Sequence, residues 1–371
     1  MSLFTPLANS WIAAQKPYQP GRPLEEVARE LGLDSIEGIV KLASNENNLG
    51  PSPKAMEAMR GAIPRMHLYP DGGSFYLRQA LARKFQVADD MVMLGCGSNE
   101  HLVLLAHAFM QPGDNLVCSA RSFVVYKLVA ELYHCSCVEV PANHMTHDLD
   151  AMLRAITPRT KLVIVANPNN PTGTMLDQAA IDSFVEQAPP HVVIAFDEAY
   201  MELVEPEAQV DTVKHARAGK KPVVTLRTFS KAYGLAGLRV GYAIAQPDAI
   251  DLLNKVRQPF NITSMAQAAA VAALEDEEFL AESRQMLKAG RAQLMSGMRK
   301  LGLDPVESVT NFILFQFAKA NELAAALTRR KVIVRPMAGF GLPDYVRVSV
   351  GTAAENEQYL AALAEALDEL R

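Results

Sequence analysis

The chain has 371 residues, of which 49% are hydrophobic and 21% charged, and its net charge is −5. At about 150 residues per domain this length predicts two to three domains, and the ordinary charge content excludes extended disorder. The small negative net charge argues against nucleic acid or an anionic membrane as the main partner.

The cysteines and the opening segment favour a reduced, cytoplasmic protein. Cys135 and Cys137 are the only two cysteines close together, and the single residue between them fits neither a redox CxxC motif nor a zinc-ligand pair. The first residues contain no basic segment leading into an apolar stretch, and no run approaches the roughly 18 apolar residues of a spanning helix. We therefore expect a cytoplasmic location, no membrane partner and no metal site.

Short apolar runs alternate with helical patterns between residues 91 and 245. Most of these runs are continuously apolar, as expected for parallel strands that are covered on both faces. The alternation predicts an open α/β sheet. Helices precede it at 24–32, 51–63 and 74–85, and its predicted strands are 91–95, 115–119, 135–140, 161–166, 192–197, 223–228 and 240–245.

The pattern changes after residue 262 to that of a smaller α+β unit. Its predicted elements are a long, interrupted helical stretch over 266–302, a strand at 311–317, a helix at 321–331, strands at 332–336 and 345–351, and a closing helix at 357–370.

The run Gly95–Glu100 (GCGSNE) follows a predicted strand and opens a helix. It resembles the dinucleotide-binding fingerprint, but its sixth position is Glu100 instead of glycine, and nearly 90 residues precede it. Free N–H groups at a helix start favour an anion. The run therefore indicates a phosphate site or a plain strand-to-helix turn, and it does not favour NAD.

Three polar motifs follow the next predicted strands: NPNNPTG from Asn167, DEAY from Asp197, and TFSK ending at Lys231. Ligands of open α/β sheets bind outside the carboxyl ends of the strands, so these positions favour function. A proline-rich turn and a surface lysine remain the alternatives for single motifs. A carboxylate after the apolar run VVIAF is costly to bury without a positive partner.

Together these groups match the needs of pyridoxal phosphate, which requires a lysine amine, a carboxylate at its ring nitrogen, and donors for its phenolic oxygen and phosphate. The motifs NPNNPTG, DEAY and SKAYGLAGLRVGY, in this order, resemble fold-type I aminotransferases of the aspartate aminotransferase superfamily. Over nearly the whole chain the sequence is similar to the histidinol-phosphate aminotransferase family, in segments such as KLASNENNLGPS, LYPDGG, RQPFNITS and YVRVSVGT.

The resemblance implies an α/β fold of the fold-type I pyridoxal-phosphate transferases, working as a homodimer with shared active sites. It implies a large cofactor-binding domain over 45–262 and a small domain built from both chain ends, 1–44 and 263–371. The implied reaction is transamination of L-histidinol phosphate with 2-oxoglutarate, which gives imidazole acetol phosphate and glutamate.

The resemblance also implies roles for individual residues. The expected catalytic residues are Lys231, Asp197, Tyr200 and Asn170. The cofactor is expected to contact these four and also Gly97, Ser98, Asn99, Phe123, Thr228, Ser230, Arg239 and, from the other subunit, Tyr69. The expected substrate contacts are Tyr18, Arg22, Asn45, Arg335 and Arg347.

Two positions depart from the family pattern. Phe123 stands where the family commonly has a tyrosine that stacks on the cofactor ring, so stacking is kept and a hydroxyl is lost. Asn48 stands where a proline is usual.

Two other readings remain open. An aromatic amino-acid aminotransferase or a pyridoxal-phosphate-dependent amino-acid-phosphate decarboxylase would share the Lys231 chemistry, and only the pocket around Tyr18, Arg22 and Arg335 separates these from the first reading. A non-catalytic nucleotide-binding domain using the turn at 95–97 would leave Asn170, Asp197 and Lys231 unexplained.

Overall fold

The computed structural model describes residues 2–370. Its α-helices are α1 Ser10–Ala14, α2 Leu24–Glu30, α3 Pro53–Ala62, α4 Phe75–Phe85, α5 Ser98–Phe109, α6 Val125–Leu132, α7 Leu149–Arg154, α8 Gln178–Gln187, α9 Val213–Ala218, α10 Pro247–Val256, α11 Ser264–Leu274, α12 Glu277–Lys300, α13 Ala320–Arg329 and α14 Ala353–Leu370. Its strands are β1 Val40–Lys41, β2 Val92–Gly95, β3 Asn115–Ser119, β4 Ser136–Val140, β5 Thr160–Ala166, β6 Val193–Asp197, β7 Val223–Thr228, β8 Gly241–Ile244, β9 Phe312–Gln316, β10 Val332–Ile333, β11 Arg335–Pro336 and β12 Tyr345–Ser349.

A seven-stranded, mostly parallel sheet forms the centre of the molecule, in the order β2-β8-β7-β6-β5-β3-β4. This confirms the expected open α/β sheet. The strands from β7 to β4 pair in parallel, whereas β8 runs antiparallel to both of its neighbours. An apolar run does not reveal this reversal, because a strand buried on both faces is apolar in either direction.

Helices bury both faces of this sheet. Apolar residues of α5, α6 and α10 pack on one face, and those of α7 and α8 pack on the other. The central strand β5 is accordingly buried over nearly its whole length, as its run KLVIVA predicts. Strand β4 lies at the edge of the sheet, where it has a single neighbouring strand, and it is partly exposed.

The two chain ends meet in a smaller unit. Strand β1 pairs in parallel with β10, with Val40 opposite Val332, and β11, β12 and β9 form an antiparallel sheet. The long helical stretch predicted over 266–302 is interrupted as expected, between α11 and α12. The carboxylate of Asp276 at the break accepts a hydrogen bond of 2.5 Å from the Ser52 hydroxyl, which ties the start of α12 to the start of α3.

Strand direction brings the polar motifs together. Strands β5, β6 and β7 are parallel neighbours, so their carboxyl ends lie at one edge of the sheet. Strand β2 is separated from β7 by two antiparallel pairings, which point its carboxyl end to the same edge. Within residues 2–370, no helix combines the length and the apolar character needed to cross a membrane.

Candidate active site

The carboxyl edge of the large sheet opens into a cavity of about 210 Å³. Most of the residues predicted for the site line it: Tyr18, Asn45, Ser98, Asn99, Phe123, Asn170, Asp197, Tyr200, Thr228, Ser230, Lys231, Arg239, Arg335 and Arg347. The three large-sheet motifs, the start of α5 and segments near both chain ends therefore contribute to one site.

Three predicted residues do not line the cavity. Gly97 lies just behind it, since a Cβ built on this residue would be 2.5 Å from Nη2 of Arg239. Arg22 pairs with two carboxylates of α2, those of Glu26 and Glu30. Tyr69 is 83% exposed.

Lys231 is half-buried and lines the cavity. Its Nζ donates hydrogen bonds to the carbonyl oxygens of Ser44 (3.2 Å) and Asn45 (3.1 Å). Burial and the positive charge of Arg347 lower the pKa of Lys231 to about 8. About one tenth of the amine is therefore neutral and nucleophilic at pH 7, far more than for an ordinary lysine.

Asp197 is 6% exposed at the end of β6, and its partner is a residue that the sequence analysis did not identify. The hydroxyl of Tyr126, on α6, donates a hydrogen bond of 2.8 Å to Oδ2 of Asp197. Burial raises the pKa of Asp197, and this hydrogen bond opposes the rise. The only available signal was spacing, because Tyr126 lies three residues after Phe123 at the start of a helix.

Two further contacts orient groups toward the centre of the cavity. Nη1 of Arg347 donates a 2.6 Å hydrogen bond to Oδ1 of Asn170, which leaves the amide NH₂ of Asn170 free to donate. Nδ2 of Asn45 donates to the Tyr200 hydroxyl at 3.0 Å. Asn45 holds this position with a left-handed backbone (φ 54°).

An anion cradle lies at one end of the cavity. The start of α5 supplies backbone N–H groups that have no intrahelical acceptor, together with the side chains of Ser98 and Asn99. The Ser230 hydroxyl accepts hydrogen bonds from Thr228 Oγ1 (3.0 Å) and from Nη1 of Arg239 (3.2 Å). Donors and one guanidinium therefore converge where a phosphate can bind.

Aromatic side chains and a second arginine form the rest of the wall. Phe123 packs edge to face on Tyr126 at 5.8 Å between ring centroids and lies 6.5 Å from Phe340. At the mouth, Nη2 of Arg335 donates to the carbonyl oxygen of Gln19 at 2.6 Å, which joins the N-terminal arm to the small unit.

Comparison with known proteins identifies the family. The family described as aminotransferase class I and II matches residues 37–365. The chain belongs to the class I and II aminotransferases. It is a pyridoxal-phosphate-dependent aminotransferase with the fold-type I architecture, and the alternative of a non-catalytic nucleotide-binding domain is excluded.

Individual relatives cover nearly all of this aminotransferase. It is 48% identical to the histidinol-phosphate aminotransferase of Methylobacillus flagellatus, over 97% of each chain. It is 46% identical to that of Moorella thermoacetica, over 98% of this chain and 93% of the relative. A structure of the Sinorhizobium meliloti histidinol-phosphate aminotransferase with pyridoxal 5′-phosphate superposes with a TM-score of 0.88 and 28% identity, covering 100% and 99% of the two chains.

The site of this aminotransferase fits the cofactor. The cavity offers an amine at Lys231, a buried carboxylate at Asp197, and amide and hydroxyl donors at Asn170 and Tyr200. At its other end lies the anion cradle at the start of α5. Each polar group of pyridoxal phosphate would thus have a complementary group here, and Phe123 would supply an aromatic surface for the ring.

Proposed function

We propose that this aminotransferase transfers the amino group of L-histidinol phosphate to 2-oxoglutarate, giving imidazole acetol phosphate and glutamate. The observation that carries the proposal is the presence of two arginines, Arg335 and Arg347, in the same cavity as Lys231 and apart from the anion cradle at Arg239. A substrate phosphate and a substrate carboxylate can each have a guanidinium partner there. The names of the relatives, at 44–49% identity over nearly the full length, support the same substrate.

The proposed role of Lys231 is to bind the cofactor covalently and then to move a proton at the carbon that carries the amino group. When bound, pyridoxal phosphate supplies the aldehyde that takes up the amino group and a ring that withdraws electrons. A lysine pKa of about 8 suits both roles, since Nζ can release and accept a proton near neutral pH.

The remaining residues would orient the cofactor and polarise its ring. Asp197 would hold a proton at the ring nitrogen, and Asn170 and Tyr200 would donate to the phenolic oxygen. The phosphate would be held by Ser98, Asn99, Thr228, Ser230 and Arg239, with Gly97 allowing the close approach of Arg239.

The two substrates would share one pocket in turn. Arg347 would bind the α-carboxylate of glutamate as a fork, while Arg335 and Tyr18 would bind the phosphate of histidinol phosphate beside Asn45. Arg22 has two carboxylate partners of its own, so we assign the phosphate to Arg335 without it.

We also propose the homodimer, the domain division and the cytoplasmic location. An exposed aromatic and apolar patch supports a second copy: Tyr69 stacks on Phe260 at 4.9 Å, and both are exposed beside Leu68 and Tyr76.

Pairing of β1 with β10 supports a small domain of 1–44 and 263–371 beside a large domain of 45–262. The free thiols of all four cysteines are compatible with the reducing cytoplasm.

Two measurements test the function. Purified enzyme is assayed with 2-oxoglutarate and, separately, histidinol phosphate, phenylalanine or tyrosine as the amino donor. We expect the highest kcat/KM with histidinol phosphate, and a higher value with an aromatic amino acid would overturn the substrate proposal.

Lys231→Ala should abolish transamination and the visible absorbance of the covalently bound cofactor without loss of far-UV circular dichroism. Retained turnover would overturn the role of Lys231.

A further inference from the structure

Glu100 presents a carboxylate beside the anion cradle. It lies in the first turn of α5, one residue after Asn99. Its Oε2 accepts a hydrogen bond from the backbone N–H of Cys96 at 2.5 Å and another from Nδ2 of Asn261 at 2.7 Å. A negative charge here is favourable in the first turn of a helix, but it repels a bound phosphate.

Asn261 is itself held in one orientation. Nη1 of Arg257 donates to Oδ1 of Asn261 at 2.7 Å, and Nη2 donates to the carbonyl oxygen of Gly72 at 3.1 Å. The amide oxygen of Asn261 is therefore occupied, which turns its NH₂ group toward Glu100.

The glycine turn, residues 95–97, is tightly packed on the side opposite Glu100. A Cβ built on Gly95 would lie 2.4 Å from Cε1 of His101, and one built on Gly241 would lie 2.5 Å from the backbone nitrogen of Ser98. The His101 ring is buried, and burial lowers its pKa to about 4, so it supports the turn as a neutral group. Packing thus supports one side of the turn. On the other side, Glu100 holds the turn through the N–H of Cys96, and Asn261 holds Glu100.

We propose that Glu100 and Asn261 are positioning residues that hold the glycine turn in the shape that receives the cofactor phosphate. Glu100 accepts from the N–H of Cys96, Asn261 holds Glu100 in place, and Ser98 and Asn99, just after the turn, line the cavity. This inference rests on the proposed assignment of the phosphate to the start of α5. Both hydrogen bonds end on one oxygen of Glu100, so the amide oxygen of a glutamine can accept both.

The test compares two ligands in four variants. Apoenzyme is titrated with pyridoxal 5′-phosphate and with pyridoxal, which lacks the phosphate, and dissociation constants are measured by visible absorbance and intrinsic fluorescence. Glu100→Ala and Asn261→Ala should weaken pyridoxal phosphate about ten-fold, the equivalent of one hydrogen bond to a charged group, and pyridoxal less than about two-fold. Glu100→Gln keeps the acceptor and should stay within about two-fold of wild type. Asn254→Ala is the matched control, since Asn254 accepts from Nε of the same Arg257 at 3.1 Å on the exposed side.

Any of the following results would contradict the proposal. Equal weakening of both ligands would show a general structural effect, and equal weakening by Glu100→Gln and Glu100→Ala would show an effect of charge. Unchanged binding in Glu100→Ala or Asn261→Ala would remove the positioning role alone. Absence of pyridoxal phosphate binding by the wild type would instead overturn the proposed function itself. Urea unfolding of each apoenzyme shows that the variants are folded, and Asn261→Ala carries the test where Glu100→Ala is unstable.

Discussion

The Tyr126 hydroxyl donates a 2.8 Å hydrogen bond to the Asp197 carboxylate, and both residues are buried in the wall of the cavity. The same tyrosine packs edge to face on Phe123, so one side chain supports both the polar and the aromatic contact of the proposed cofactor ring. Because burial raises the pKa of Asp197 and the hydrogen bond lowers it, Tyr126 helps to keep this carboxyl ionised.

Tyr126→Phe should raise the pKa of Asp197 further and destabilise the apoenzyme by about 2 kcal/mol at neutral pH, the usual contribution of a hydrogen bond to a charged acceptor. The bond favours the ionised carboxylate, so the loss should be largest above the folded-state pKa of Asp197 and should shrink as the pH falls through it. Urea unfolding at several pH values measures the loss. Tyr133→Phe, at the end of the same helix, is the control, and an equal, pH-independent loss in both variants would contradict the prediction.

Incorporation of the cofactor should speed up with pH through about 8, because only the neutral Lys231 amine attacks an aldehyde and its pKa is about 8. About one tenth of the amine is neutral at pH 7 and about nine tenths at pH 9, which predicts a roughly ten-fold rise in rate. Stopped-flow absorbance after mixing apoenzyme with pyridoxal phosphate measures this rate. Arg347→Met removes a positive charge that lowers the pKa of Lys231. The midpoint of the pH dependence of the incorporation rate should therefore move to higher pH in this variant. A wild-type midpoint near the ordinary lysine value would contradict the burial argument.

A buried ionic cluster behind the site predicts two opposite effects on stability. Arg227 lies between two buried carboxylates, with Nε 2.8 Å from Oε2 of Glu198 and Nη1 3.3 Å from Oε1 of Glu202. Arg227→Met leaves both carboxylates without a buried cation and should cost about 3–5 kcal/mol or prevent folding. Glu202→Gln keeps an acceptor for the Tyr242 hydroxyl and removes one negative charge from a cluster with a net charge of −1, so it should cost less than about 1 kcal/mol or stabilise.

The pH dependence of stability checks the same cluster. Burial raises the pKa of Glu198 to about 6, above its ordinary 4.5, and the nearby charge of Glu202 adds to the rise. The folded state therefore binds more protons than the unfolded state between these values, and stability falls as the pH rises through this window. Glu202→Gln should flatten this fall in urea unfolding curves. An unchanged slope would show that Glu202 does not act on Glu198.

Arg335 and Arg347 should separate the two substrates. Arg335→Ala should raise KM for histidinol phosphate about ten-fold or more and leave KM for glutamate within about two-fold, because only one of these substrates has a phosphate to lose a charge-assisted partner. Arg347→Lys should do the reverse, since lysine cannot form the forked contact with a carboxylate. Steady-state kinetics of both half-reactions measure the split, and equal losses for the two substrates in Arg335→Ala would remove its phosphate role.

The sequence by itself determined the order of the elements and the position of Asn170, Asp197 and Lys231 at the carboxyl ends of strands. These properties are local, because apolar runs, prolines and glycines act over a few residues. Resemblance to the aminotransferases then implied the cofactor and the roles of these residues, and the family match confirmed the cofactor.

Only the tertiary structure decided which distant groups meet. Tyr126 and Asp197 are 71 residues apart and are joined by the packing of α6 on the sheet, which no local pattern reveals. The reversal of β8 is likewise set by its pairing with β2 and β7. Arg22 pairs with Glu26 and Glu30 of the helix that follows it, because these two carboxylates are within reach of its guanidinium. Contacts of this kind depend on how surfaces fit once all the elements are in place, so they are properties of the folded chain.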